Sequence, residues 1–135
     1  MIADDFTRLW TRMSRDWKLS LEQALAPLTE GQLNVLELIL EAETLKPSDL
    51  IQHLSTSPAA ITTLLDRMER NELIVRTRDE EDRRVVWISV SEKGKQETER
   101  GRLVRSSLIS ESLDRISEHN QQLLVYLLGK VAKSS

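Results

Sequence analysis

Apolar positions recur at steps of three to four residues over most of this chain, and at steps of two in one short stretch. Phe6, Trp10, Met13, Trp17 and Leu21 trace one face of a long first helix over roughly 4–26, with Pro27 at its end. Thr29-Glu30-Gly31-Gln32 fits a capping box that opens a second helix carrying Leu33, Leu36, Ile39 and Leu40. Pro47 suits the first turn of a short third helix, Ser48 to Leu54. Ser57 then caps a fourth that starts at Pro58 and runs to about Arg70, where Asn71 is expected to adopt the left-handed conformation that closes it. The period changes to two in Val86, Ile88 and Val90, and Ile74 to Arg78 alternates β-branched residues with arginine. Together they predict one hairpin, Ile74–Arg78 with 85–90, and a charged tip. Ser91 and Ser117 are positioned to cap two further helices, the last with Leu123, Leu124, Leu127, Leu128 and Val131 on one face.

The expected fold is therefore mainly α with one small β-hairpin. A short helix, a tight turn, a helix and a hairpin make a winged helix-turn-helix. Isolated hairpins are marginal in water, so this one must lean on the helices. The pattern divides the chain into an N-terminal helix (1–28), a winged helix-turn-helix lobe (29–90) and C-terminal helices (91–135).

Composition narrows the function. The chain has 135 residues and no cysteine, which excludes disulfides, thiolate metal sites and cysteine redox sensing within it. The acidic start, Met1-Ile2-Ala3-Asp4-Asp5, is unlike a signal peptide, and no apolar run reaches membrane length, so a soluble cytoplasmic protein with no membrane partner is expected. His53 and His119 fall in different helices, with no nucleophile elbow, phosphate loop or metal-spaced ligand set. We expect no enzyme, no cofactor and no metal. Net charge is −3, and Arg67 to Arg84 holds six arginines and six acids. A simple basic patch is therefore ruled out, and any affinity for nucleic acid must come from how the charges are placed.

In the fourth helix Ile61, Leu64, Leu65 and Met68 form the core stripe. Ala59, Thr62, Thr63, Asp66 and Arg70 then face outward, with Arg67 to one side. Small residues let the backbone approach a major groove closely, and threonine can bond a base or touch a thymine methyl. Ser48 and Ser57, at the starts of the third and fourth helices, and Arg67 and Arg70 complete the candidate DNA-binding set on the helices. The bland reading is a solvated face with an Asp66–Arg70 ion pair worth a few tenths of a kcal/mol. In the wing, Asp82 and Arg84 stand two apart, so in an extended strand they leave on one side and the carboxylate can hold the guanidinium. Arg84 is then presented to a narrow minor groove, and Arg83 is a candidate phosphate contact. Asp79, Glu80 and Glu81 read as solvated turn residues.

These residues carry a resemblance. Thr62, Asp66-Arg67-Met68, Leu73-Ile74-Val75-Arg76, Asp79-Glu80-Glu81-Asp82-Arg83-Arg84, Val90-Ser91 and Gly94 are similar to the pattern of the MarR family of bacterial transcriptional regulators. The specific part covers about a quarter of the chain. There are three departures from the pattern: Thr63 where Arg or Lys is frequent, Glu72 where Gly is usual, and Val90-Ser91 in place of Leu-Thr. The resemblance implies a homodimer built from intertwined terminal helices, and a response to a small-molecule effector. Phe6, Met13, Leu123, Leu124, Leu127, Leu128 and Val131, with Trp10 and Trp17, make apolar faces larger than so small a lobe can cover, which independently suggests a partner. Trp10 and Trp17 are also the candidate lining of a ligand pocket between these helices and the lobe. The expected function is a sequence-specific regulator, a ligand-responsive repressor that binds a pseudo-palindromic double-stranded DNA operator as a homodimer. The alternative is a winged-helix protein-interaction module without specific DNA binding.

Overall fold

A computed structural model describes residues 1–132. Its elements run α1 (Ile2–Leu25), α2 (Glu30–Ala42), α3 (Pro47–Leu54), α4 (Pro58–Arg70), β1 (Ile74–Arg78), β2 (Val86–Val90), α5 (Glu92–Leu113) and α6 (Glu118–Val131). The winged helix-turn-helix order is thus present, flanked by long helices at both ends.

Local chemistry sets the boundaries. The Thr29 hydroxyl accepts from Gln32 N at 3.1 Å while the Gln32 side chain accepts from Thr29 N at 3.2 Å, closing the expected capping box. Ser57, Ser91 and Ser117 each accept a backbone N–H at the start of their helices, a bond worth about 1 kcal/mol apiece. Between α3 and α4 the turn passes through Ser55 in the left-handed region, φ 48°.

One closure differs from the sequence expectation. Asn71 sits at φ −81°, and it is Glu72 that takes the left-handed conformation, φ 62°. The reason is a complete Schellman motif: Leu73 N donates to Met68 O and Glu72 N to Glu69 O, both at 2.9 Å. Leu73 thereby folds back onto Met68 in the core, and the hydrophobic gain holds a β-carbon in a region it ordinarily avoids.

The hairpin is antiparallel, with Ile74 opposite Val90, Arg76 opposite Ile88 and Arg78 opposite Val86. Strand β2 begins at Val86 rather than Val85, because Val85 N turns to Asp82 O within the tip. Leu45, between α2 and α3, adds an isolated antiparallel bridge: Leu45 N donates to Ile88 O at 3.1 Å and Ile88 N to Leu45 O at 2.8 Å. That unexpected edge is how the hairpin leans on the helices. Ile88 is fully buried beneath it.

A single core gathers Leu25, Leu33, Leu36, Ile39, Leu50 and Leu65 with their neighbours, so the last turn of α1 is part of the lobe's interior. Helix α5 crosses this core at Gly101, whose position would set a β-carbon 2.9 Å from Leu33 Cδ1. At its start, a β-carbon on Gly94 would lie 2.1 Å from the Leu73 carbonyl, so the helix touches the base of the wing there. The Glu37 carboxylate in α2 accepts from Arg105 Nη1 (2.7 Å) and Nη2 (2.9 Å) and from Arg102 Nε (3.2 Å) in α5. Arg105, chiefly, holds Glu37 below the usual carboxylate range. Arg100 donates to the terminal carbonyl of α1, Leu25 O, at 2.7 Å.

The outer ends of the long helices have no such cover. Phe6, Trp10 and Met13 are exposed, and α6 buries none of its residues even though Leu123 to Leu128 are all apolar. Among the described residues, no helix is long and apolar enough to cross a membrane.

Candidate nucleic-acid interface

Helix α4 has its stripe where the period places it. Ile61, Leu65 and Met68 are buried, Leu64 is half-buried, and Ala59, Thr62, Thr63, Asp66, Arg67 and Arg70 are exposed. The two threonine hydroxyls donate back along the helix, Thr62 to Pro58 O at 3.0 Å and Thr63 to Ala59 O at 3.1 Å. Their protons are therefore committed, while the oxygen lone pairs and the methyl groups remain outward. Such a surface can accept from a base amine or touch a thymine methyl. Ser57 spends its acceptor on Ala60 N, which leaves the hydroxyl proton for a phosphate. Ser48 is exposed in the first turn of α3.

The Asp66–Arg70 ion pair does not form. Arg70 Nε reaches only the Asp66 main-chain oxygen, at 3.5 Å, and the Asp66 carboxylate pairs with Arg76 Nη1 of β1 at 2.9 Å. Arg76 wins because the hairpin already half-buries it, whereas Arg70 would have to surrender the freedom of an exposed side chain. Glu69 stands 3.8 Å from the same nitrogen. Several of the six arginines are thus committed: Arg76 to these acids, Arg78 to the Arg83 carbonyl at 2.8 Å, and Arg84 to Asp82. Arg67, Arg70 and Arg83 make no ion pair among the described residues, and all three are exposed. The local charge balance conceals this division of labour.

At the wing tip Arg84 Nε donates to Asp82 Oδ1 at 3.1 Å and Nη2 to Oδ2 at 3.3 Å, a two-point grip. The Arg84 side chain is 91% exposed and that of Asp82 45%. Arg84 lowers the Asp82 pKa, its side chain more than its main chain. The pairing arises differently from the sequence argument, since 82–84 form a turn rather than an extended strand. Asp82 Oδ1 also accepts Arg84 N at 3.1 Å, so a side-chain-to-backbone turn brings the two together.

Asp79, read from the sequence as a solvated acid, organises the tip. Its Oδ1 accepts Glu81 N at 2.9 Å and Asp82 N at 3.1 Å, and its Oδ2 accepts the Trp87 indole N–H at 3.0 Å. Trp87 leads the causes that lower its pKa. The Lys46 ammonium lies 5.7 Å from the centre of the Trp87 ring. The available signal was an Asp directly after a strand with free N–H groups two and three residues on, the pattern of a side-chain turn.

The two tryptophans of the candidate ligand pocket are not brought together. Trp10 stacks on Phe6 at 6.2 Å on the exposed side of α1. Trp17 donates its indole N–H to Ser112 Oγ at 3.0 Å and lines a groove of about 400 Å³ with Met13, Asp16, Leu108 and Arg115. That groove lies between α1 and α5. A second, of about 530 Å³, lies where α1 meets the lobe, between Lys18, Pro27 and Asn34, and neither tryptophan lines it.

The MarR family model matches residues 28–86, which run from before α2 to the first residue of β2 and include Thr62, Thr63, Asp79, Asp82 and Arg84. The HTH-type transcriptional regulator MgrA of Staphylococcus aureus is 33% identical over 104 residues, covering 77% of this chain and 69% of its own. The HTH-type transcriptional repressor MdtR of Bacillus subtilis is 28% identical over 108 residues, covering 80% and 70%. Among solved structures, a mutant MarR from E. coli complexed with operator DNA superposes with a TM-score of 0.74 at 27% identity, covering 96% and 94% of the two chains. The YusO protein from Bacillus subtilis gives 0.86 at 23%, covering 99% and 96%, a likeness of fold.

Proposed function

The chain belongs to the MarR family of DNA-binding transcriptional regulators, and from that premise we propose that it is a repressor that binds a pseudo-palindromic operator as a homodimer. Helix α4 enters the major groove with Ala59, Thr62 and Thr63 foremost, and Arg67, Arg70, Arg83, Ser48 and Ser57 meet phosphates. Arg84 enters the flanking minor groove, oriented by Asp82. The observation that carries this reading is the two-point grip on an otherwise exposed arginine at the hairpin tip. An isolated arginine there would be a flexible charge, whereas a gripped one is a shaped probe.

The division at about residues 28 and 90 belongs to the same reading. Phe6, Met13, Leu123, Leu124, Leu127, Leu128 and Val131 form the dimer interface, and its two-fold axis sets the lobes about one helical turn of DNA apart. Effector response is assigned to the grooves beside α1, with Trp17 on the wall of one of them. All of this suits a soluble cytoplasmic protein.

Selection of duplexes from random DNA, followed by anisotropy titration, tests it. Arg84→Ala is expected to weaken binding to the selected duplex more than tenfold with an unchanged melting temperature. Affinity for that duplex should fall steeply with salt. Equal affinity of Arg84→Ala and wild type would refute the minor-groove role. Enrichment of no sequence, with only weak duplex binding that salt abolishes, would favour a protein-interaction module instead.

A further inference from the structure

Trp87 and Asp79 have no place in a list of groups that would touch DNA, yet the tip is built around them. Across the hairpin Trp87 pairs with Thr77, on the face opposite the buried Ile88. One carboxylate joins this indole to the tip: Asp79 takes the Trp87 N–H on one oxygen and the main-chain N–H groups of Glu81 and Asp82 on the other. Asp79 N meanwhile donates to Val85 O at 2.9 Å, closing the loop's neck. Asp82 is held through its own main chain, and its carboxylate then takes both the main chain and the guanidinium of Arg84.

We propose that Asp79 and Trp87 are positioning residues of the wing, a clasp that fixes where Asp82 stands and so where Arg84 points, with Lys46 docking the clasp onto the helix-turn-helix. The inference rests on the DNA-binding reading. Lys46 lies over the ring, and Leu45 beside it bridges to Ile88, so both side chain and main chain register the wing against the turn before α3. Without the clasp an arginine this exposed would lose its rotamer freedom only on binding, at the expense of affinity.

Trp87→Phe tests the clasp, because it keeps an aromatic face under Lys46 and removes only the N–H. A double-mutant cycle against Arg84→Ala, titrated on the selected duplex, isolates action through Arg84. Loss of one hydrogen bond corresponds to about a fivefold weakening in the wild-type background. In the Arg84→Ala background the same change should cost less than about twofold, since nothing remains to position. Hydrogen exchange at the Glu81 and Asp82 amides should quicken in Trp87→Phe and, more strongly, in Asp79→Ala, while amides of the core helices keep their protection. Equal losses in both backgrounds would overturn the proposal, as would unchanged affinity. If the wild type bound no duplex, the DNA reading would fail by itself. Amide exchange would then decide the clasp, quicker exchange upholding it and unchanged exchange overturning it.

Discussion

Glu72→Gly is expected to stabilise the protein. Glu72 holds φ 62° in the turn that leaves α4, and a β-carbon in the left-handed region costs about 1–2 kcal/mol. The conformation is enforced from several sides: Glu72 N donates to Glu69 O, Leu73 N to Met68 O, and the Glu72 carbonyl accepts from Ser91 Oγ. All of these bonds are main-chain on the Glu72 side, so glycine keeps them. Glycine gives back about 0.5–1 kcal/mol through the greater freedom of its unfolded chain. The difference is a net gain of about 0.5–1 kcal/mol, or a urea midpoint raised by about 0.3–0.5 M at an unchanged slope. Urea unfolding followed by circular dichroism, at one fixed protein concentration, measures it. Glu72→Ala is the control, since alanine keeps the β-carbon and should gain nothing. Equal gains from glycine and alanine would refute the backbone argument and implicate the side chain's charge.

Gly94→Ala should destabilise by about 2–3 kcal/mol, because the new methyl meets a carbonyl oxygen that cannot step aside; thermal melts check this. Glu37→Gln should cost about 1 kcal/mol at neutral pH by loosening α2 from α5. The Glu37 pKa is lowered in the fold, so its contribution is complete above the unfolded value of about 4.3 and disappears as pH falls through the folded one. Urea midpoints of wild type and Glu37→Gln should therefore converge on acidification below about pH 4. The paired change Leu124→Arg with Leu128→Arg should leave the lobe folded, lower the mass seen by sedimentation equilibrium to that of one chain, and weaken operator binding with it. A dimer unaffected by those charges would remove α6 from the interface.

Much of the fold was legible because its signals are local. The caps at Thr29, Ser57, Ser91 and Ser117, the prolines that open α3 and α4, and the change of period at the hairpin are all read within a few residues of where they act. The structure departs from local signals where a distant partner decides. Asn71 is the better left-handed residue by intrinsic preference, but burying Leu73 against Met68 shifted the closure to Glu72. The Asp66–Arg70 pair has good helical spacing and lost to Arg76, which only the folded hairpin brings near. Nothing in the neighbourhood of Leu45 announces an edge strand, since its partner Ile88 is far along the chain. Asp82 and Arg84 were legible as a pair, whereas the role of Asp79 depends on where the Trp87 indole lies, and that follows from hairpin register.

Helix α5 has a mechanical consequence. At about 1.5 Å per residue its 22 residues make a rod about 33 Å long. One end rests on the wing's base through Gly94, the other meets Trp17 at Ser112, and Glu37 pins it between them at Arg102 and Arg105. Gly101 on Leu33 and Arg100 on Leu25 O hold the same middle stretch, so a rigid tilt about it would have arms of nearly equal length. A tilt of about 10° about it moves the groove end and the wing end by about 2–3 Å each, in opposite directions. Under such a rigid tilt, a displacement of the groove end would reach the foot of the wing at similar size, with its sense reversed.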